Sequence, residues 1–270
     1  MGTRGDSRAA RHGIPAAMTS AGCGPRDEAG PVRNRGAVSP TPRVALVSGA
    51  NRGIGRAIAE ALARGGWHLS LGVRDPLGTE APAGTDAMIH PYEARDPDGA
   101  RVWVDATIDR FGGIDAVVAN AGIMTARTVI EAEDHEFDDL LEVNVKAPRR
   151  LVKAAWPALK RCGRGRVVTV VSLSGLRVAS AESGLYATSK FAALGLTHAI
   201  RQAGWADGIR ATAVCPGFVA TDMAVPLTDR DPAGLTQPED VGRIVALVLD
   251  LPNTAAIAEV PVNWTLEPRL

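Results

Sequence analysis

The stretch from Arg43 to Arg64 restricts what this chain can fold into more than any other. Arg43-Val-Ala-Leu-Val-Ser48 is a short apolar run suited to a buried parallel strand. Gly49-Ala-Asn51-Arg52-Gly53-Ile54-Gly55 follows it. Then comes Arg56-Ala-Ile-Ala-Glu-Ala-Leu-Ala-Arg64, in which Ile54, Ala57, Ile58, Ala61 and Leu62 recur at helical spacing. Glycines let the backbone turn sharply and approach a ligand closely, and a helix N-terminus presents unpaired N–H groups to a pyrophosphate. A glycine-rich turn by itself can be a tight loop. Between such a strand and such a helix, a nucleotide site is the favoured reading.

The next strand supports this and bears on the choice of nucleotide. Trp67-His-Leu-Ser-Leu-Gly-Val73 ends at Arg74-Asp75-Pro76. A dinucleotide-binding unit inspects the adenosine ribose at this point, and a carboxylate there would bind the 2′-hydroxyl of NAD(H) and repel a 2′-phosphate. Here Val73 is followed by Arg74, and Arg52 lies in the glycine turn. Two guanidiniums suit a phosphate, so NADP(H) is favoured. Asp75 could instead pair with Arg74, which keeps NAD(H) possible.

Further strands are expected at 87–90, 115–120, 166–172, 209–215 and 256–262, with Pro261 marking the last as an edge. Helices are expected over 98–111, over about 132–161, from Tyr186, and from Pro238 onward. Pro148 is expected to interrupt the long one, close to Asn144. This alternation predicts an α/β fold, a single Rossmann-like, doubly wound parallel sheet of about seven strands with helices on both faces. Ser172 then stands at a strand's C-terminal end, where open sheets place ligands. Residues 223–237 form a polar, proline-punctuated loop, a possible lid.

At 270 residues the chain can bury the core of one such domain. A formal net charge of +0 gives no reason to expect nucleic acid or an anionic membrane as partner. No apolar run reaches the length of a membrane span, so a soluble, cytoplasmic protein is expected. The three cysteines (Cys23, Cys162 and Cys215) have neither paired nor metal-ligand spacing and read as idle thiols. Residues 1–40 are rich in Gly, Pro, Ala and Arg without apolar periodicity. They are expected to be disordered, or an extension ahead of a later start, leaving 41–270 as the folded domain.

The chemistry is carried by Tyr186-Ala-Thr-Ser-Lys190, which opens an apolar helical run. Positions i and i+4 share a helix face, so phenol and ammonium are expected side by side. A cation at that distance lowers a tyrosine pKa and fits it for acid–base work on an alcohol or carbonyl oxygen. The same pair could be a packed ring beside a solvated ammonium; the rest of the chain decides.

From about residue 42 to 263 the chain resembles the short-chain dehydrogenase/reductases. The resemblance lies in Gly49-x-x-x-Gly53-Ile54-Gly55, Asn120-Ala121-Gly122, Asn144, Ser172, Tyr186-x-x-x-Lys190 and Pro216-Gly217. It implies a hydride-transfer enzyme acting on a small carbonyl or alcohol, with Tyr186 as general acid/base. Lys190 would lower the tyrosine pKa and bind the nicotinamide ribose. Ser172 would hold the substrate oxygen, and Asn144 a relay water. Backbone groups after Pro216-Gly217, through Val219, would fix the carboxamide with Thr221. Glu93 stands where the family usually has an aspartate near the adenine. Ser174 competes with Ser172, which is preferred because the family's serine comes three residues before a glycine, here Gly175. A homodimer or homotetramer through the 132–161 and 186–203 helices is implied too. Two readings compete: a non-catalytic NADP(H) sensor or scaffold, and, within enzymes, a reductase of 3-oxoacyl thioesters. Leu176, Val178, Leu185, Val225, Pro226 and Leu227 suggest a moderately apolar substrate pocket.

Overall fold

The computed structural model describes residues 42–266. Expectations for residues 1–40, Cys23 included, lie outside them. Seven strands form one sheet: β1 Val44–Ser48, β2 His68–Val73, β3 Ala87–Pro91, β4 Ala116–Ala119, β5 Arg166–Val170, β6 Arg210–Pro216 and β7 Glu259–Val262. All neighbours are parallel, in the order β3-β2-β1-β4-β5-β6-β7. The order reverses between β1 and β4. Crossovers leave those two strands in opposite directions and open a crevice beyond their carboxyl ends. Val47 pairs with Val118, so the exits Ser48-Gly49 and Ala119-Asn120 leave the sheet side by side. This is the doubly wound architecture expected from the alternating pattern.

Helices cover both faces. Helix α1 (Gly53–Arg64) and α6 (Pro238–Asp250) pack Ile58, Leu62, Val241 and Val245 into one core. On the other face lie α2 (Gly99–Phe111), α4 (Ala147–Arg161) and α5 (Gly184–Gly204), with Trp103, Leu151, Leu159 and Ile200 in a second core. Helix α6 begins on Pro238, with Gln237 and Asp240 satisfying each other's backbone N–H in a capping box. The edge strand β7 carries Pro261, where a missing donor disrupts no inner ladder.

Two expectations need correction. The long helix is not simply interrupted at Pro148. It runs as α3 (Asp134–Leu141), a π-helical turn at Glu142–Lys146, then α4. Proline lacks the N–H that an α-helix would direct to the carbonyl of Asn144 four residues earlier, and the wider turn absorbs that loss. Asn144 therefore sits inside the irregularity, not ahead of it. Strand β5 stops at Val170, and Ser172 lies two residues beyond, capping a 3-10 turn at Leu173–Gly175 through a hydrogen bond from Ser174 N (3.1 Å).

Arg166 is the buried charge that ties the bottom of the sheet together. Its guanidinium donates to Asn253 Oδ1 (2.8 Å), to the carbonyls of Arg164 and Gly165, and to Leu251 O just past α6. Burial pulls its pKa down to about 10, so it stays charged at neutral pH. Arg166→Met would strand these acceptors. We expect it to lower unfolding free energy by about 2–3 kcal/mol in urea titrations. A loss below about 0.5 kcal/mol would show that water replaces the guanidinium.

Candidate active site

The crevice is built first from backbone. Gly49 (φ 67°) and Gly53 (φ 53°) occupy the left-handed region that side chains avoid. Gly55 is needed for a different reason: a Cβ there would lie 2.1 Å from Gly49 O and 2.5 Å from Asn120 Nδ2. Asn120 stitches the turn from the neighbouring strand, donating through Nδ2 to Ser48 O (3.0 Å) and Gly49 O (3.2 Å). The Ser48 hydroxyl accepts from the N–H groups of Asn120 (3.0 Å) and Ala121 (3.1 Å). Ser48 is thus a structural member of the turn that the sequence reading did not select.

Above this turn opens a cavity of about 1020 Å³. Every catalytic and cofactor-binding residue expected from sequence lines it except Asn144. At the end near β2, Arg74 is exposed and makes no ion pair with Asp75. The Asp75 carboxylate instead accepts from Gly78 N (3.2 Å), and its carbonyl from Thr79 Oγ1 (2.8 Å). Arg52 is engaged by Asp222, 2.8 Å away across the mouth, a partner 170 residues distant in sequence. Glu93 accepts from Arg95 N (3.1 Å), while the Arg95 guanidinium grips Asp139 of α3 through two hydrogen bonds.

At the other end stand Ser172, Tyr186 and Lys190. Tyr186, on the first turn of α5, packs with Leu140 and Leu185 and lines the same cavity as Ser172. Lys190 is one turn further on, its Nζ 5.6 Å from the Tyr186 ring centre and donating to Val170 O (3.1 Å). Asn144 lies just behind. Its side chain exchanges hydrogen bonds with Ile123 N and O (3.0 Å each) and donates to Ser189 Oγ (3.0 Å). A Cβ on Gly122 would touch both Asn144 Oδ1 (3.2 Å) and Lys190 Nζ (3.6 Å), so these two polar groups flank one small residue.

The electrostatics differ from expectation. Burial pushes the Tyr186 phenol up to about 12, against a lowering contribution from the nearby Ser172 side chain. Burial also pulls the Lys190 ammonium down to about 8, with nearby Cys215 acting in the opposite sense. Proximity alone suggested that the cation would depress the tyrosine. Desolvation of both charged forms outweighs it here.

The segment 174–185 also departs from the sequence reading. Leu176 packs against Val171 and Ala193, Leu185 joins the core beside Tyr186, and Val178 is exposed away from the cavity. Of the six apolar residues expected to line a pocket, only Leu227 does. Ser174, Arg177, Ser180, Glu182 and Ser183 face the cavity instead. Trp264, just past β7, also lines it, with Arg230 of the 223–237 loop lying over its ring at 5.1 Å. That loop contains two short 3-10 turns, Val225–Leu227 and Pro232–Gly234. A bridge between Val219 and Thr236 holds its base, and Thr221 Oγ1 donates to Val219 O (3.3 Å). Gly217 N donates to Val262 O (2.8 Å), which keeps the Pro216-Gly217 exit against β7.

The family model for short chain dehydrogenases matches residues 43–232. Agropine synthesis reductase of Rhizobium rhizogenes is 36% identical over 79% of this chain and 50% of that protein, so the chain spans about half the length of that relative. The 3-oxoacyl-[acyl-carrier-protein] reductase FabG of Escherichia coli K12 is 31% identical over 75% of this chain and 84% of its own. Among solved structures, a short chain dehydrogenase from Burkholderia cenocepacia J2315 in complex with NADP superposes with a TM-score of 0.75 at 30% identity, covering 83% of this chain and 97% of that one.

Proposed function

The chain belongs to the short-chain dehydrogenase family, and from that premise we propose that it is an NADP(H)-dependent oxidoreductase interconverting a small carbonyl compound and its alcohol. One observation carries this most directly: a buried tyrosine and Ser172, with a buried lysine one turn on, line one cavity that also holds the glycine turn. The residues present fit a dinucleotide. The left-handed Gly49 and Gly53, with the bare Gly55, let a pyrophosphate approach the N-terminus of α1. Exposed Arg74 suits a 2′-phosphate, and the NADP held by the Burkholderia relative supports that choice over NAD(H). When bound, the nicotinamide supplies or accepts the hydride.

The protein's own groups do the rest. Tyr186 gives its proton to the carbonyl oxygen, and Ser172 donates a hydrogen bond to the same oxygen as charge develops. Lys190 holds positive charge beside the phenol and returns protons toward it. Asn144 positions the loop at Ile123 and, through Ser189, the helix that carries Tyr186. Asn120, Ala121, Gly122, Pro216, Gly217, Val219 and Thr221 wall the nicotinamide end. Asn51, Arg52, Ile54 and Glu93 wall the rest. Activity is assigned to residues 41–270.

Titration with NADPH and NADH followed by fluorescence, and then turnover of a ketone panel, tests this proposal. Failure to bind either nucleotide would overturn it, and binding without turnover of any ketone would favour the sensor. For Arg74→Ala we expect NADPH affinity to fall about tenfold with NADH affinity changed less than about twofold, the signature of one lost charge-assisted contact. Equal losses would remove Arg74 from the phosphate site.

Assembly and location belong to the same proposal. Helix α5 turns Phe191, 43% exposed, outward together with Ala192 and Gly195. An apolar patch with little side-chain bulk suits close packing of a second copy. We expect a dimeric or tetrameric mass by light scattering at micromolar concentration; a monomer would reject it. Among the described residues, Cys162 and Cys215 are free thiols, in keeping with a reducing cytoplasm. No helix there is long and apolar enough to cross a membrane.

A further inference from the structure

The oxidoreductase reading leaves the substrate open, and the part of the cavity wall built after β6 and β7 bears on it. Phe218, Met223 and Leu227, from the segment that follows β6, line the cavity together with Trp264, just past β7. Pro216 pairs with Val262, so the two strands send these residues off from neighbouring exits. Resting on the oxidoreductase reading, we infer that the substrate is a ketone with an aromatic ring a short spacer away from its carbonyl, and that Trp264 is the specificity-determining residue against which that ring packs.

Uncovered apolar surface is the first support. Phe218, Met223 and Leu227 are between 38% and 46% exposed, and Trp264 is half-buried. Among the described residues, none of these four joins the cores that bind the sheet to its helices. Concave apolar surface of this kind gains when a ligand covers it, and a few polar groups beside it fix the ligand's orientation. Ser172 and Tyr186 are those polar groups here, lining the same cavity. The chemistry of the wall selects the ligand further. Indole and phenyl rings stack offset or edge-on with another ring, and a thioether favours a ring edge. A saturated group would gain only from the area it buries.

Position is the second support. A Cβ on Gly217 would lie 2.9 Å from Asn263 Oδ1 and 3.0 Å from Leu173 Cδ1. The residue after Ser172 and the residue before Trp264 therefore flank one glycine. Trp264 N donates in turn to Asn263 Oδ1 (3.0 Å), which ties the indole's backbone to that same point. With consecutive Cα atoms ~3.8 Å apart, Ser172 and Trp264 stand on the order of 10 Å from each other. A carbonyl held at Ser172 and a ring held at Trp264 thus belong to one small molecule, with a spacer of a few bonds. Arg230 lies over one face of the indole, 5.1 Å from its centre, and does not itself line the cavity. The cation steadies the ring from outside and leaves its other face or its edge to the substrate.

The test compares 4-phenylbutan-2-one with 4-cyclohexylbutan-2-one, using NADPH and the full-length protein. The two ketones share a spacer and an equally reactive carbonyl, and differ in whether the ring is flat and aromatic. Wild type should favour the phenyl ketone by about fivefold in kcat/KM, chiefly through KM. Trp264→Leu keeps apolar bulk without the indole. It should bring the ratio of the two ketones to about one, by lowering the phenyl ketone more than the cyclohexyl ketone. Trp264→Phe should restore part of the preference, and with the wild-type ratio it carries the test if Trp264→Leu does not fold. A purely structural Trp264 would lower both ketones alike. That outcome, or a wild type that does not prefer the phenyl ketone, would overturn the inference, while turnover of either ketone upheld the oxidoreductase reading. Calorimetric binding of the same pair to the NADP⁺ complex decides the matter without turnover. Tighter binding of the phenyl ketone, lost in Trp264→Leu, supports the inference even if no ketone is reduced. Binding of neither ketone, or equal binding of both, rejects it.

Discussion

Tyr186→Phe is expected to lower kcat by about a thousandfold while leaving the dissociation constant for NADPH within about twofold of wild type. The substitution removes one oxygen. The ring remains packed with Leu140 and Leu185, so the first turn of α5 and the neighbouring Lys190 stay in place. What disappears is the proton that the carbonyl oxygen must receive. That proton is held firmly in the wild-type protein, because burial pushes the phenol up to about 12. At neutral pH Tyr186 is therefore the acid, ready for reduction, and alcohol oxidation must first draw its proton away. Loss of one buried hydroxyl costs about 1 kcal/mol or less to stability. That is too small to unfold the domain. Single-turnover measurement with preformed NADPH complex separates the chemical step from binding. Retention of kcat within about tenfold would sink the role of Tyr186, because the proton would then have to come from the Ser172 hydroxyl or from water.

Much of this site could be read from local sequence because its parts are local. The glycine turn follows a strand and opens a helix within about twenty residues, and Tyr186 and Lys190 share one helix face. Short-range periodicity reports such units well. The seven strands were legible for the same reason, with errors confined to their ends, as at Val170 where β5 stops short of Ser172. Contacts between distant segments were not legible. Asp222 reaches Arg52 only because the fold brings the loop after β6 back to the glycine turn, and Trp264 meets Arg230 in the same way. Side-chain direction in irregular segments was equally hidden. Nothing in the order Ser174 to Leu185 states that Leu176 and Leu185 turn inward while Arg177 turns to the cavity. The direction of the Tyr186 shift was misread because burial, which dominates it, is a property of the packed fold. The spacing of two residues reports their proximity, and says nothing of how much water either retains.

Gly55→Ala is the second change expected to have a large effect, and it concerns shape alone. Gly55 has no left-handed dihedral to protect; the obstacle is the space beside its Cα. A methyl group there would lie 2.1 Å from Gly49 O and 2.8 Å from Gly49 C, whereas carbon and carbonyl oxygen ordinarily approach no closer than about 3.3 Å. Gly49 is backbone, so no flexible side chain can swing aside. The turn must open by about 1 Å, and Asn120, whose Nδ2 would lie 2.5 Å from the new methyl, must release Ser48 O and Gly49 O as it does so. Both consequences are measurable. Overpacking should cost about 1–3 kcal/mol in urea unfolding. Moving the turn by that distance should weaken NADPH about a hundredfold, since its N–H groups would no longer converge on the pyrophosphate. Far-UV circular dichroism matching wild type would show that the loss of affinity is local to the turn. If the Gly55→Ala variant bound NADPH within about threefold of wild type, the turn would be pliant, and the pyrophosphate would be held by something other than its close approach to α1.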